Sequence, residues 1–263
     1  MKLEVILSVV NLYKKDLEKM NITSRCLVIN QCSKDKKEEY KNFRIYSYKE
    51  KGVSISRNRG IDNSEGDILL FCDNDVVYNK DYEKLVLEEF NNNKDADVIV
   101  FNVINLGRKK RIIKKRKKLH IYNSLNYATY NIAVRRKSIL EKNIRFNTLF
   151  GPGAIYKNGS DTMFIVDILK NKLNMYSSPY VLGEIKEKPS TWFNGYDEEY
   201  FYYKGILFTA ISSRFRHLLM LQHIIRHKYM LVNYSFIDAY KIMLKGSRKY
   251  LNDINNSNKI KNR

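Results

Sequence analysis

Five short apolar runs punctuate the first part of the chain, at residues 5–10, 25–30, 43–48, 67–72 and 97–104. Each is rich in Val, Ile, Leu and Phe and has the length of a buried strand. Between them, residues 14–20, 55–64 and 81–92 carry helical spacing with charged faces. In the last of these, Tyr82, Leu85, Val86, Glu89 and Phe90 keep the i, i+3, i+4 rhythm. Strands that alternate with helices in this way predict an α/β fold, a mostly parallel sheet covered on both faces. The pattern continues with strands at 131–134 and 175–182 and helices at 161–171 and 200–213. Turn clusters interrupt it at 150–153 and 189–196.

A chain of 263 residues with 44% hydrophobic content can bury a substantial core, which excludes intrinsic disorder. Its three cysteines, Cys26, Cys32 and Cys72, form no C-x-x-C pair, so neither a disulfide scaffold nor a cysteine-rich zinc fold is expected. The N-terminus lacks an export signal, and no eighteen apolar residues run together. A reduced, cytoplasmic protein is the expectation.

The net charge of +20 is concentrated. Residues 1–107 carry −1, residues 108–118 carry +9, residues 119–210 carry +3 and residues 211–263 carry +9. A near-neutral body with two basic segments suggests docking on something anionic. Nucleic acid is disfavoured, because no helix-turn-helix, KH, RRM or zinc-finger pattern accompanies the basic run. Around 211–245 basic and apolar residues mix at helical spacing, which suits either an anionic membrane interface or a packed helix pair. His217, His223 and His227 include an i, i+4 pair but have no third ligand at metal spacing, and read as packing or basic-face residues. From residue 246 the chain is polar and is expected to fray.

The chemistry concentrates at residues 67–76, where an apolar strand ends in Asp73-Asn74-Asp75. In open parallel sheets ligands bind beyond the carboxyl ends of the strands. Two acids one residue apart can hold Mg2+ or Mn2+, the remaining ligands coming from phosphate and water. Asp-Asn-Asp is equally a turn or helix-cap sequence.

Upstream lies Gly52-Val53-Ser54-Ile55-Ser56-Arg57-Asn58-Arg59-Gly60, followed by Ser64-Glu65-Gly66-Asp67. With the acidic pair, these segments resemble the signature of glycosyltransferase family 2. The resemblance implies a GT-A (Rossmann-like) fold over residues 1–210, with a nucleotide-sugar-binding half at 1–107 and an acceptor half at 108–210. Residues 211–263 would form a basic helical extension. It also implies inverting transfer from a nucleotide sugar. Asp73 would face the ribose and diphosphate of the donor, Asp75 would bind the metal, and Arg57 would lie near the nucleotide; a surface ion pair would also explain Arg57. Asp161, in Gly159-Ser160-Asp161, matches the acid that serves the family as catalytic base, although Ser160 or Asp161 would also make a good helix cap.

Departures from the family pattern bear on donor and product. The acidic motif expected after the second strand is replaced by Asn30-Gln31, whose amides can still read a pyrimidine edge. Ser8 and Asn11 would line the nucleotide pocket or simply end the first strand. The Q-x-x-R-W motif of processive members is absent, which favours transfer of one sugar per encounter. Trp192 offers an acceptor sugar a flat face, or is structural. The expected donor is a UDP-sugar, and the expected acceptor is a glycan or lipid-linked acceptor in bacterial surface polysaccharide synthesis, used at the inner face of the membrane. Two other readings remain: a nucleotidyltransferase, which would need a Gly-rich loop absent from residues 8–14, and a non-catalytic glycan-operon or nucleic-acid binding protein.

Overall fold

The computed structural model describes the backbone of residues 1–105, 112–185 and 195–261, and side chains through residue 256. Its first elements are β1 (Leu3–Val10), α1 (Lys14–Leu17), β2 (Arg25–Gln31), β3 (Lys36–Tyr40), β4 (Phe43–Tyr48), α2 (Val53–Asn63), β5 (Ile68–Asp73), β6 (Val76–Tyr78), α3 (Tyr82–Asn92) and β7 (Val98–Asn105). They are followed by β8 (Lys117–Lys118), α4 (Ile121–Ser124), β9 (Ile132–Arg135), α5 (Arg136–Glu141), α6 (Ser160–Lys170), β10 (Met175–Ile185), α7 (Glu198–Ile211), α8 (Arg216–Arg226) and α9 (Phe236–Lys261).

The strands form one sheet in the order β3-β4-β2-β1-β5-β9-β7-β10-β6, with β8 added to β10. Strands β4, β2, β1 and β5 pair in parallel, as do β7 and β10. Strand β9 lies antiparallel between β5 and β7, so those two point the same way. Alternation along β1 divides the core. Val5, Leu7 and Val9 pack with Tyr82, Val86 and Phe90 of α3, while Ile6 faces Ile61 of α2 and Phe164 and Ile168 of α6. Helix α2 sits close to the sheet because Gly60 has no side chain; a Cβ there would stand 2.3 Å from Ile6 Cγ2. Strand β3, Lys-Lys-Glu-Glu-Tyr, has no apolar alternation to announce it and survives as a charged sheet edge.

By contacts the chain divides into two units, Met1–Thr148 with Ser160–Lys188, and Leu149–Gly159 with Pro189–Arg263. The first holds the sheet. In the second, α7, α8 and α9 pack around Phe201, Met220, Ile224, Ala239 and Met243. Helices α7 and α9 approach backbone to backbone: a Cβ on Gly246 would stand 2.1 Å from Tyr202 O. The end expected to fray is helical through Lys261. It is anchored by the Thr209–Ser247 hydroxyl bond at 2.8 Å, by Tyr250 packing on Phe150 and Tyr156, and by Tyr156 donating to Asp253 at 2.7 Å. No described helix is long and apolar enough to cross a membrane.

Candidate active site

The strand that carries the acidic pair is buried from Ile68 to Cys72 and breaks out of the sheet core at Asp73. Asp73 and Asp75 are both half-buried at this carboxyl end. Strand β1 runs beside it, with Ser8 opposite Asp73. Helix α2 brings Arg57 to the same place, buried to 6% exposure. One guanidinium nitrogen donates to Asp73 Oδ1 at 3.0 Å and another to Asp161 Oδ1 at 2.8 Å. Asp161 is the second residue of α6, and its Oδ1 also accepts from Thr129 Oγ1 at 2.6 Å. Its Oδ1 therefore reaches across to other elements.

The Arg-Asn pair divides the work of holding this centre. The Arg57 guanidinium lies over the Phe146 ring at 5.3 Å. Asn58 fixes that ring by donating to Phe146 O at 2.9 Å and accepting from Phe146 N at 2.8 Å. Phe146 stacks on Phe164 at 3.9 Å, and Phe71 meets both edge-on. Burial alone would weaken the hold of Arg57 on its proton. The Asp161 and Asp73 carboxylates outweigh it, and the group is held above its ordinary range. The ion pairing of Arg57 joins positions 57, 73 and 161 inside the unit, whereas the sequence alternative was a surface pair with a neighbour.

The remaining candidates of the first unit gather at the same strand ends. Ser8 and Ser56 share a hydroxyl hydrogen bond. Asn30 accepts from Leu12 N at 2.9 Å and donates to Ser47 Oγ at 3.0 Å. Gln31 Oε1 accepts from Gly52 N at 2.7 Å, tying β2 to the start of α2. Asn11 and Asn74 line a pocket of about 60 Å³ with Tyr13 and Asp16. Trp192 lies outside the described residues, as do 108–111 of the first basic segment. Lys117 and Lys118 of that segment form β8, and Arg116 lies 4.2 Å over the Tyr176 ring.

For a divalent metal, Asp73 and Asp75 supply hard carboxylate oxygens within one turn, the donor type that Mg2+ and Mn2+ favour. Among the described residues no group of three His, Cys, Asp or Glu could hold a metal, so diphosphate and water would complete its shell. His223 accordingly packs against Tyr200 and Phe208, with its Nε2 3.2 Å from the Tyr200 hydroxyl. Sequence reasoning missed Thr129, Asn58 and Phe146. Asn58 lay within the signature, whereas nothing local marks the other two.

A family model, Glycosyl transferase family 2, matches residues 4–154, more than half of the chain. No curated protein matches the chain. Among solved structures, Staphylococcus aureus TarS 1–349 superposes with a TM-score of 0.62 at 17% identity, covering 89% of this chain and 74% of that one. The same protein in complex with UDP-GlcNAc gives 0.63 at 15% identity, with the same coverage. The longer TarS structure gives 0.59 at 15%, covering 89% of this chain and 44% of that one. These likenesses establish the shared fold, and the family match carries the assignment: the chain is a glycosyltransferase and belongs to glycosyltransferase family 2.

Proposed function

We propose that this chain transfers one sugar per encounter, with inversion and with a divalent metal, from a UDP-sugar to a glycan or lipid-linked acceptor of bacterial surface polysaccharide synthesis. The observation that carries the reading is the Arg57 bridge between Asp73 and Asp161. It ties the acid assigned to the donor to the acid assigned to the acceptor. Residues 1–107 supply the donor contacts in this reading, and Asp161 within 108–210 supplies the base.

Asp161 takes the proton of the acceptor hydroxyl as that oxygen attacks the anomeric carbon. Its hydrogen bonds from Arg57 and Thr129 both fall on Oδ1, which supports Oδ2 as the oxygen that takes the proton. The bond from the anomeric carbon to the diphosphate oxygen breaks, and the nucleoside diphosphate leaves from the opposite face. Asp75, with Asp73, would hold Mg2+ or Mn2+, which when bound supplies positive charge against the departing diphosphate. As Asp161 becomes neutral, the Arg57 charge is left to Asp73 and the leaving group. Ser8, Asn11, Asn30 and Gln31 line the donor end, and Trp192 is assigned to the acceptor.

The UDP assignment draws support from the TarS structures, which are solved with UDP and with UDP-GlcNAc. The test is thermal stability with and without Mn2+ against a panel of nucleotides and nucleotide sugars, on wild type and Asp75→Ala. A metal-dependent upshift with uridine nucleotides, lost in the variant, is the expected result. No shift with any nucleotide would overturn the reading in favour of a non-catalytic binding protein.

A further inference from the structure

Helix α8 carries two apolar stripes where a packed helix needs one. Met220 and Ile224, four apart, are buried against Phe201, Ala239 and Met243. On the opposite side Leu218 and Ile225 are 63% and 56% exposed, with half-buried Leu221 between them at i+3. Exposed apolar side chains continue beyond both ends of the helix, at Phe215, Tyr229, Val232 and Ile237. Seven of the seventeen exposed large apolar side chains among the described residues fall within the twenty-three positions 215–237. That density marks a patch rather than scattered surface.

Charge follows the same segment. No acid occurs from residue 200 to residue 237, while Arg214, Arg216, Arg226 and Lys228 fall among the apolar positions. None of the four makes an ion pair among the described residues. Cations and apolar groups interleave here. A protein–protein contact segregates them into an apolar centre and a polar rim. An interface of anionic headgroups over acyl chains accommodates both at once, the cations at the phosphates and the apolar side chains just beneath.

We propose that α8 and the turn into α9 form a docking surface for an anionic lipid bilayer. The helix lies in the interface plane, with Leu218 and Ile225 at the acyl boundary and Arg214, Arg226 and Lys228 at headgroup phosphates. Its role in bringing the enzyme to a lipid-linked acceptor rests on the transfer reading above; the surface itself does not.

The test is co-sedimentation of the full chain with phosphatidylcholine vesicles, with and without phosphatidylglycerol, alongside the nucleotide thermal shift on the same preparations. Wild type should sediment with the anionic vesicles. Leu218→Asn with Ile225→Asn should lower that affinity about tenfold or more. Arg214→Gln, Arg226→Gln and Lys228→Gln together should lower it about a hundredfold. Because all five side chains are solvent-exposed, the melting temperature should hold in both variants. Failure of wild type to bind, equal binding to neutral vesicles, or unchanged binding by the apolar variant would each overturn the proposal. So would a concentration-dependent dimer that the apolar variant abolishes without any vesicle binding, which would give the face to a second copy. Lost docking with an intact nucleotide shift leaves the transfer reading standing, and docking without any shift removes that reading alone.

Discussion

Arg44 and Arg57 each bridge two carboxylates within the sheet-bearing unit, at opposite ends of the parallel strands. Arg44, on β4, holds Glu4 at 2.7 Å and Glu65 at 2.7 Å, and also donates to Asn63 O at 3.0 Å. Glu4, 1% exposed, further accepts from the backbone N–H groups of Glu65 and Gly66 at 2.6 and 2.9 Å. That network is closed, because its central acid is saturated by partners the chain itself supplies. Arg57 is as deeply placed, but its partners Asp73 and Asp161 remain 36% and 35% exposed. Its network faces the strand ends where ligands bind in such sheets. The same trio of charges therefore forms a closed brace at one end and, in the proposed mechanism, the centre for chemistry at the other, where the acids can still meet solvent.

Substitution should separate the two networks. Asp161→Asn should lower transfer about a thousandfold while keeping the nucleotide-induced thermal shift, as followed by UDP release and by melting with and without nucleotide. Retained turnover would remove Asp161 from the role of base. Glu4→Gln should do the reverse, costing about 3 kcal/mol in denaturant titration by leaving Arg44 partly unpaired, with activity per folded molecule unchanged. Thr129→Val removes a hydrogen bond to a charged group and should lower kcat about tenfold with little change in KM. An equal change in stability and none in kcat would make Thr129 part of the brace.

A pH-dependent effect lies outside both networks. Burial, with the nearby Lys204 and His227 charges, depresses the His223 imidazole to about 3. Unfolded, the ring takes its proton near 6.5, so between those values the unfolded chain binds more protons. This contribution to stability is present above pH 6.5 and is lost as the pH falls toward 3, at up to about 1.4 kcal/mol per unit. In His223→Gln the acid limb of the stability profile should flatten, and an unchanged limb would show that the ring protonates without unfolding.

Much of this organisation was legible in the sequence, because it is local. The runs at 5–10, 25–30, 43–48 and 67–72 announce β1, β2, β4 and β5 by composition, and the family signature pairs Arg57 with Asn58 before any contact is known. The clamp of Asn58 on Phe146 spans 88 positions, and Thr129 reaches Asp161 across 32; neither has a sequence pattern to signal it. The antiparallel placement of β9 between β5 and β7 is likewise set by tertiary pairing. At residue 246 the glycine and the polar residues after it read as an ending, whereas tertiary packing keeps the helix going.

That packing turns two positions without side chains into the ruler of the helical unit. Beside Gly246, a Cβ on Gly205 would stand only 1.9 Å from Met243 O. The separation of α7 and α9 is thus set by backbone against backbone, where nothing flexible can yield. The spacing between most helices is negotiated among many rotamers; this one has a single setting. Random mutagenesis of the helical unit should therefore find its sharpest intolerance at Gly205 and Gly246, where adding one methyl group does more harm than removing any charge.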